Sequence, residues 1–103
     1  MSDRRKYERY LIQKLALLQL ANGNTLQGQT LDMGEGGALI QFETDNDLTL
    51  GESYRVNLLL DEEDEETLTE VEGQVSHLSS NGVGFTFLKI NSTYYQFMEE
   101  LSD

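Results

Sequence analysis

Arg5 and Arg9 stand four residues apart in the opening segment Arg4-Arg5-Lys6-Tyr7-Glu8-Arg9. That interval puts both guanidinium groups on one side of the chain whether the segment is a helical turn or extended, in which case they lie about 13 Å apart at roughly 3.4 Å per residue. A guanidinium bonds phosphate or carboxylate in a bidentate fork and also stacks on a purine ring. Arg4 stands beside them and belongs to the same candidate site. On spacing alone the group equally fits a solubilising basic tail.

The second candidate is Asp32-x-Gly34-x-x-Gly37, within Leu31-Asp32-Met33-Gly34-Glu35-Gly36-Gly37. Glycines here permit close approach of the backbone to a ligand, and Asp32 can accept hydrogen bonds from the N–H edge of a guanine. The same glycines suit a plain turn between strands. A phosphate-cradling P-loop is excluded, because no Gly-Lys-Ser or Gly-Lys-Thr follows them.

Catalytic and metal chemistry find no comparable assembly. The chain has no cysteine and one histidine, His77, which reads as a sheet residue. The carboxylate run Asp61-Glu62-Glu63-Asp64-Glu65-Glu66 lacks the glycine and spaced ligands of a calcium loop, and six adjacent carboxylates repel one another into solvent. We therefore expect no enzyme, no metal and no cofactor.

Seven basic residues against nineteen acidic ones give a net charge of −12, which repels nucleic-acid backbones and anionic membranes. Binding to DNA or RNA is not expected. The basic residues are nonetheless gathered at one end: Arg4, Arg5, Lys6, Arg9 and Lys14 all fall within the first fourteen positions. With no cysteine, an N-terminus that carries charge where a signal peptide is apolar, and no apolar run near the roughly 20 residues of a membrane span, the expectation is a cytoplasmic protein without membrane insertion.

The elements that position these groups follow from periodicity. Leu11 to Leu20 reads as a strand ending at the tight-turn signal Asn22-Gly23-Asn24, and its hairpin partner runs from Thr25 to about Leu31. The glycine-rich stretch 32–37 reads as a loop that needs unusual backbone angles. Ala38, Ile40 and Phe42, then Tyr54, Val56, Leu58 and Leu60, then Val71 and Val75, and finally Val83, Phe85 and Phe87 repeat the period of two that gives a strand one buried face. Tyr94, Phe97, Met98 and Leu101 change to helical spacing, with Asn91 or Ser92 placed to cap a helix over about 91–102. The 103 residues suffice for one core, so the expectation is an all-β domain with one C-terminal helix, a six-stranded antiparallel barrel over 11–103 preceded by a flexible arginine segment over 1–10.

In this order and separation the two motifs resemble the PilZ domain, the bacterial receptor module for cyclic di-GMP, whose signature is R-x-x-x-R followed after a hairpin by [D/N]-x-S-x-x-G. Arg5 and Arg9 match the first motif; Asp32 and Gly37 match the ends of the second. Gly51, Val75 and Gly82-Val83-Gly84-Phe85-Thr86-Phe87 extend the likeness over nearly the whole chain. The resemblance implies a PilZ-type barrel in which Arg5 and Arg9, assisted by Arg4, hold the phosphates and stack on guanine while Asp32 reads a guanine edge. It also implies signalling to a separate effector protein. Gly34 departs from the pattern, standing where the family has serine, and the alternative it raises is a PilZ-like protein adaptor that binds no nucleotide.

Overall fold

The computed structural model describes residues 9–44, 46–61 and 67–102. Six strands and one helix follow in order: β1 (Leu15–Gln19), β2 (Thr25–Gly34), β3 (Gly37–Phe42), β4 (Ser53–Leu58), β5 (Thr69–Leu78), β6 (Val83–Lys89) and α1 (Ser92–Ser102). The strands form a closed antiparallel barrel in the order β1-β2-β3-β6-β5-β4, and the β1–β4 pairing, Ala16 opposite Leu58, completes the ring.

Alternation places the core inside that ring. Ala16 and Leu18, Ala38 and Ile40, Val56 and Leu58, Val71 and Val75, and Val83 and Phe85 are buried. Each fully buried side chain of the size of valine, leucine or phenylalanine contributes about 1.5–3 kcal/mol, and a barrel this small is filled by them rather than hollow. The β1–β2 hairpin closes at the expected asparagines. Gly23 has a φ of +93°, a backbone conformation open to glycine without steric cost, and Asn22 Oδ1 accepts the Asn24 N–H at 2.9 Å.

Helix α1 closes one flank. Asn91 caps it by accepting the Tyr94 N–H on its Oδ1 at 2.9 Å, and its Nδ2 donates to the Glu70 carbonyl at 3.1 Å, tying the cap to β5. Tyr94 and Met98 are buried, and the Tyr94 ring meets Phe87 edge-on at 5.3 Å. No basic residue sits in the last helical turn to offset the helix dipole, so this packing is what holds the helix.

Three expectations need correction. β1 begins at Leu15, not Leu11, because the preceding residues leave the β1 ladder and lie along the far end of β2. β2 likewise does not stop at Leu31: it runs through Asp32 to Gly34, Gly34 pairs with Gly37, and the reversal is confined to residues 35–36. Nor does this stretch use unusual backbone angles, since the positive-φ glycines among the described residues are Gly23 and Gly51. What hides the end of β2 from a periodicity reading is a bulge. Thr30 opposes Ile40 but Asp32 opposes Leu39, leaving Leu31 as an extra residue. Before it the even positions Gly28 and Thr30 are buried; after it the buried side chain is Met33.

Candidate functional site

The bulge aims the second motif. With the inward phase moved to Met33, its neighbour Asp32 is turned to the other face of β2, and its side chain is 21% exposed. The first motif reaches the same place through the chain before β1. Tyr10 donates its N–H to the Met33 carbonyl at 2.8 Å and accepts the Met33 N–H at 2.9 Å, an isolated antiparallel bridge. Position 9 therefore lies opposite Gly34, and Arg9 reaches diagonally to Asp32, Nε to Oδ1 at 3.6 Å.

That separation is an ion pair but too long for a hydrogen bond. Arg9 is 47% exposed, so the pair contributes no more than about 1 kcal/mol. Asp32 Oδ1 is buried and has no hydrogen-bond partner among the described residues. An orphaned carboxylate oxygen is costly, and a donor supplied from outside would relieve that cost.

The glycines have separate roles. Gly37 sits between Gly34 on β2 and Thr86 on β6, and a Cβ there would collide with the Phe85 carbonyl oxygen, so close backbone approach requires glycine. Gly34 offers its carbonyl to the Tyr94 hydroxyl, which donates to it at 2.6 Å in a buried contact between residues 60 positions apart. Burial pushes the Tyr94 hydroxyl far above the usual tyrosine range; Arg9 opposes the shift, while Glu35 and Asp32 add to it. The hydroxyl thus lies within electrostatic reach of all three charged groups.

Among the predicted site residues, Arg9, Asp32, Gly34 and Gly37 come together; Arg4 and Arg5 lie outside the described residues. Sequence reasoning missed Tyr94, which it read only as part of a helical stripe, and Thr30. For Thr30 the signal was a polar residue in phase with the inward positions of β2. A cleft of about 720 Å³ between Leu20, Tyr54, Arg55, Glu70 and Lys89 includes none of the predicted site residues. In the described part of the candidate site Arg9 is exposed and Asp32 half-buried, while Gly34 and Gly37 are buried. The site's chemistry is recognition: a cation, a buried acceptor in want of a donor, and close-packed backbone.

The family model of the PilZ domain matches residues 3–102. The chain belongs to the PilZ domain family. Its fold is that of solved PilZ domains: the PilZ domain with c-di-GMP of YcgR from Escherichia coli superposes with a TM-score of 0.74 at 19% identity, covering 95% of this chain and 88% of that one. The PilZ domain of CeSA from a cellulose-synthesizing bacterium gives 0.67 at 16% identity, covering 91% and 93%. No curated protein matches the chain. The expected six-stranded antiparallel barrel with a C-terminal helix is therefore the PilZ architecture. Among the described residues no helix is long and apolar enough to cross a membrane.

Proposed function

We propose that this PilZ domain is a cytoplasmic cyclic di-GMP receptor that passes its signal to a separate effector protein. The observation that carries the reading is the meeting of Arg9 with Asp32, whose Oδ1 is buried without a hydrogen-bond partner among the described residues. A guanine edge supplies N–H donors for that oxygen. Arg9, with Arg5 and Arg4 from the same segment, binds the phosphates and stacks on the base. The YcgR PilZ domain in complex with c-di-GMP lends family support. The Tyr10–Met33 bridge provides a fixed point from which residues 4–9 fold onto the barrel as ligand binds.

Calorimetric titration with cyclic di-GMP tests the reading, with cyclic di-AMP as the comparison, because adenine lacks the paired N–H donors of the guanine edge. Saturable heat with preference for the guanine ligand is expected; no heat from either refutes the receptor. Backbone relaxation at residues 4–9 tests the folding step, which equal rigidity with and without ligand refutes. One observation favours a second reading: Gly34 supplies no hydroxyl where the family has serine. In that reading the chain is a protein adaptor without nucleotide, and the same silent titration supports it.

A further inference from the structure

Thr30 is fully buried, and its hydroxyl bonds two residues of another segment. Oγ1 donates to the Ile12 carbonyl at 2.6 Å and accepts the Lys14 N–H at 2.8 Å, while the Thr30 N–H donates to the Lys14 carbonyl at 2.9 Å. We propose that Thr30 is a positioning residue that sets the register of the arginine segment against β2 and so delivers Arg9 to Asp32; the inference rests on the receptor reading for its effect on ligand.

Two registers meet at Thr30. β1 pairs with β2 so that Leu15 opposes Gln29, and continuing that ladder puts Lys14 opposite Thr30 and Tyr10 opposite Gly34. Tyr10 instead opposes Met33. Between Tyr10 and Lys14 the segment therefore carries one residue more than β2 does between Thr30 and Met33, and Thr30 stands where the two registers join. The Thr30 N–H makes the bond to Lys14 that a regular ladder would make. The return bond is different, since the Lys14 N–H is received by the threonine hydroxyl rather than by a backbone carbonyl. The hydroxyl's own proton then satisfies Ile12.

A hydroxyl can do this because it donates once and accepts at the same time. An aliphatic side chain of the same shape cannot. The consequence reaches Arg9, because a slip of one residue turns every side chain of a strand to the opposite face. The Lys14 side chain adds a second anchor, with its Nζ 5.7 Å from the centre of the Phe97 ring on α1.

The test compares Thr30→Val, which keeps the shape and removes both hydroxyl bonds, with Thr30→Ser, which keeps the hydroxyl. Hydrogen exchange without ligand is read at the Tyr10 and Met33 amides, with the β4–β5 ladder as internal reference. Exchange at both amides should quicken by about tenfold or more in the valine variant, while the serine variant stays near wild type. Wild-type protection in the valine variant overturns the proposal. So does equal loss in both variants, which would make the methyl group the source. Should valine unfold the whole barrel, Thr30→Ala against Thr30→Ser isolates the hydroxyl, and equal protection in that pair overturns the proposal as well.

A second arm titrates cyclic di-GMP. Thr30→Val should weaken binding by about tenfold and add nothing in an Arg9→Ala background, because its effect passes through Arg9. Additive losses overturn the positioning role. If the wild type itself binds no cyclic di-GMP, the receptor reading fails, and the exchange arm alone decides the role of Thr30.

Discussion

Gly34→Ser is the substitution that separates a weakened receptor from a domain that has given up its ligand. Gly34 is the last residue of β2, pairs with Gly37 and is outside the left-handed region, so serine meets no backbone strain there. It lies two residues after Asp32, and in a strand that spacing places a new Cβ on the face of Asp32, opposite position 9. The existing bond from Tyr94 uses the Gly34 carbonyl and is indifferent to the side chain. One neutral hydrogen bond to ligand contributes about 0.5–1.5 kcal/mol, so affinity for cyclic di-GMP should rise about two- to twelvefold. Replacing glycine where φ is compatible also adds about 0.4–1 kcal/mol of stability through the unfolded chain, or about 2–8 °C in the thermal midpoint of a domain this size. Calorimetric titration and scanning calorimetry measure the two effects, and the affinity gain should vanish in an Arg9→Ala background. A midpoint at or above wild type with no gain in affinity refutes the weakened-receptor account and strengthens the adaptor reading. A lowered midpoint shows instead that this buried position does not accept a side chain.

Arg9→Ala should weaken cyclic di-GMP binding by about tenfold to more than a hundredfold, the loss of about 1.5–3 kcal/mol expected of a charge-assisted bond. Arg55→Ala, on β4 beside Glu70 at 3.5 Å, should change it little, and equal losses in titration would point to nonspecific charge attraction. Tyr94→Phe removes the donor to the Gly34 carbonyl and should cost about 1–3 kcal/mol in denaturant unfolding. Because burial raises the folded-state pKa of Tyr94 above its ordinary 10.0, its contribution is fully present below pH 10 and lost as pH rises beyond it; Tyr94→Phe should flatten that alkaline fall. Gly37→Ala should destabilise by about 1–3 kcal/mol or more through the clash with the Phe85 carbonyl, whereas Gly36→Ala, with nothing within 4 Å of the added Cβ, should not.

The strands and the helix were legible wherever one period holds from end to end. Ala38 and Ile40, Val56 and Leu58, and Val71 and Val75 alternate into the core, and the Tyr94–Met98 spacing marks the helix. The second half of β2 was not legible, because the extra residue Leu31 changes the inward phase from Thr30 to Met33 and makes strand residues resemble a loop. The glycine cluster misled for a related reason: Gly37 answers a clash with a carbonyl brought from β6, a contact that local sequence cannot show. Arg9 and Asp32 were legible by residue type and spacing. What brings them together, the Thr30 hydroxyl and the Tyr10–Met33 bridge, joins segments sixteen or more residues apart, and the Tyr94 contact spans sixty.

The same arrangement bears on which anions the proposed receptor accepts. A net charge of −12 opposes every anion at long range, and among the described residues Arg9 already faces a carboxylate. A ligand that offers only negative charge must draw Arg9 from Asp32 and leave that carboxylate with its buried Oδ1 still unbonded. A ligand that brings N–H donors together with phosphate replaces what it takes: its phosphate receives the guanidinium, and its base edge satisfies the oxygen. The difference between the two classes is the cost of an unpaired buried carboxylate oxygen, about 1–3 kcal/mol or more, which is about five- to more than a hundredfold in affinity. Inorganic phosphate and pyrophosphate should therefore compete poorly against a guanine dinucleotide in this site, although they carry charge at least as dense.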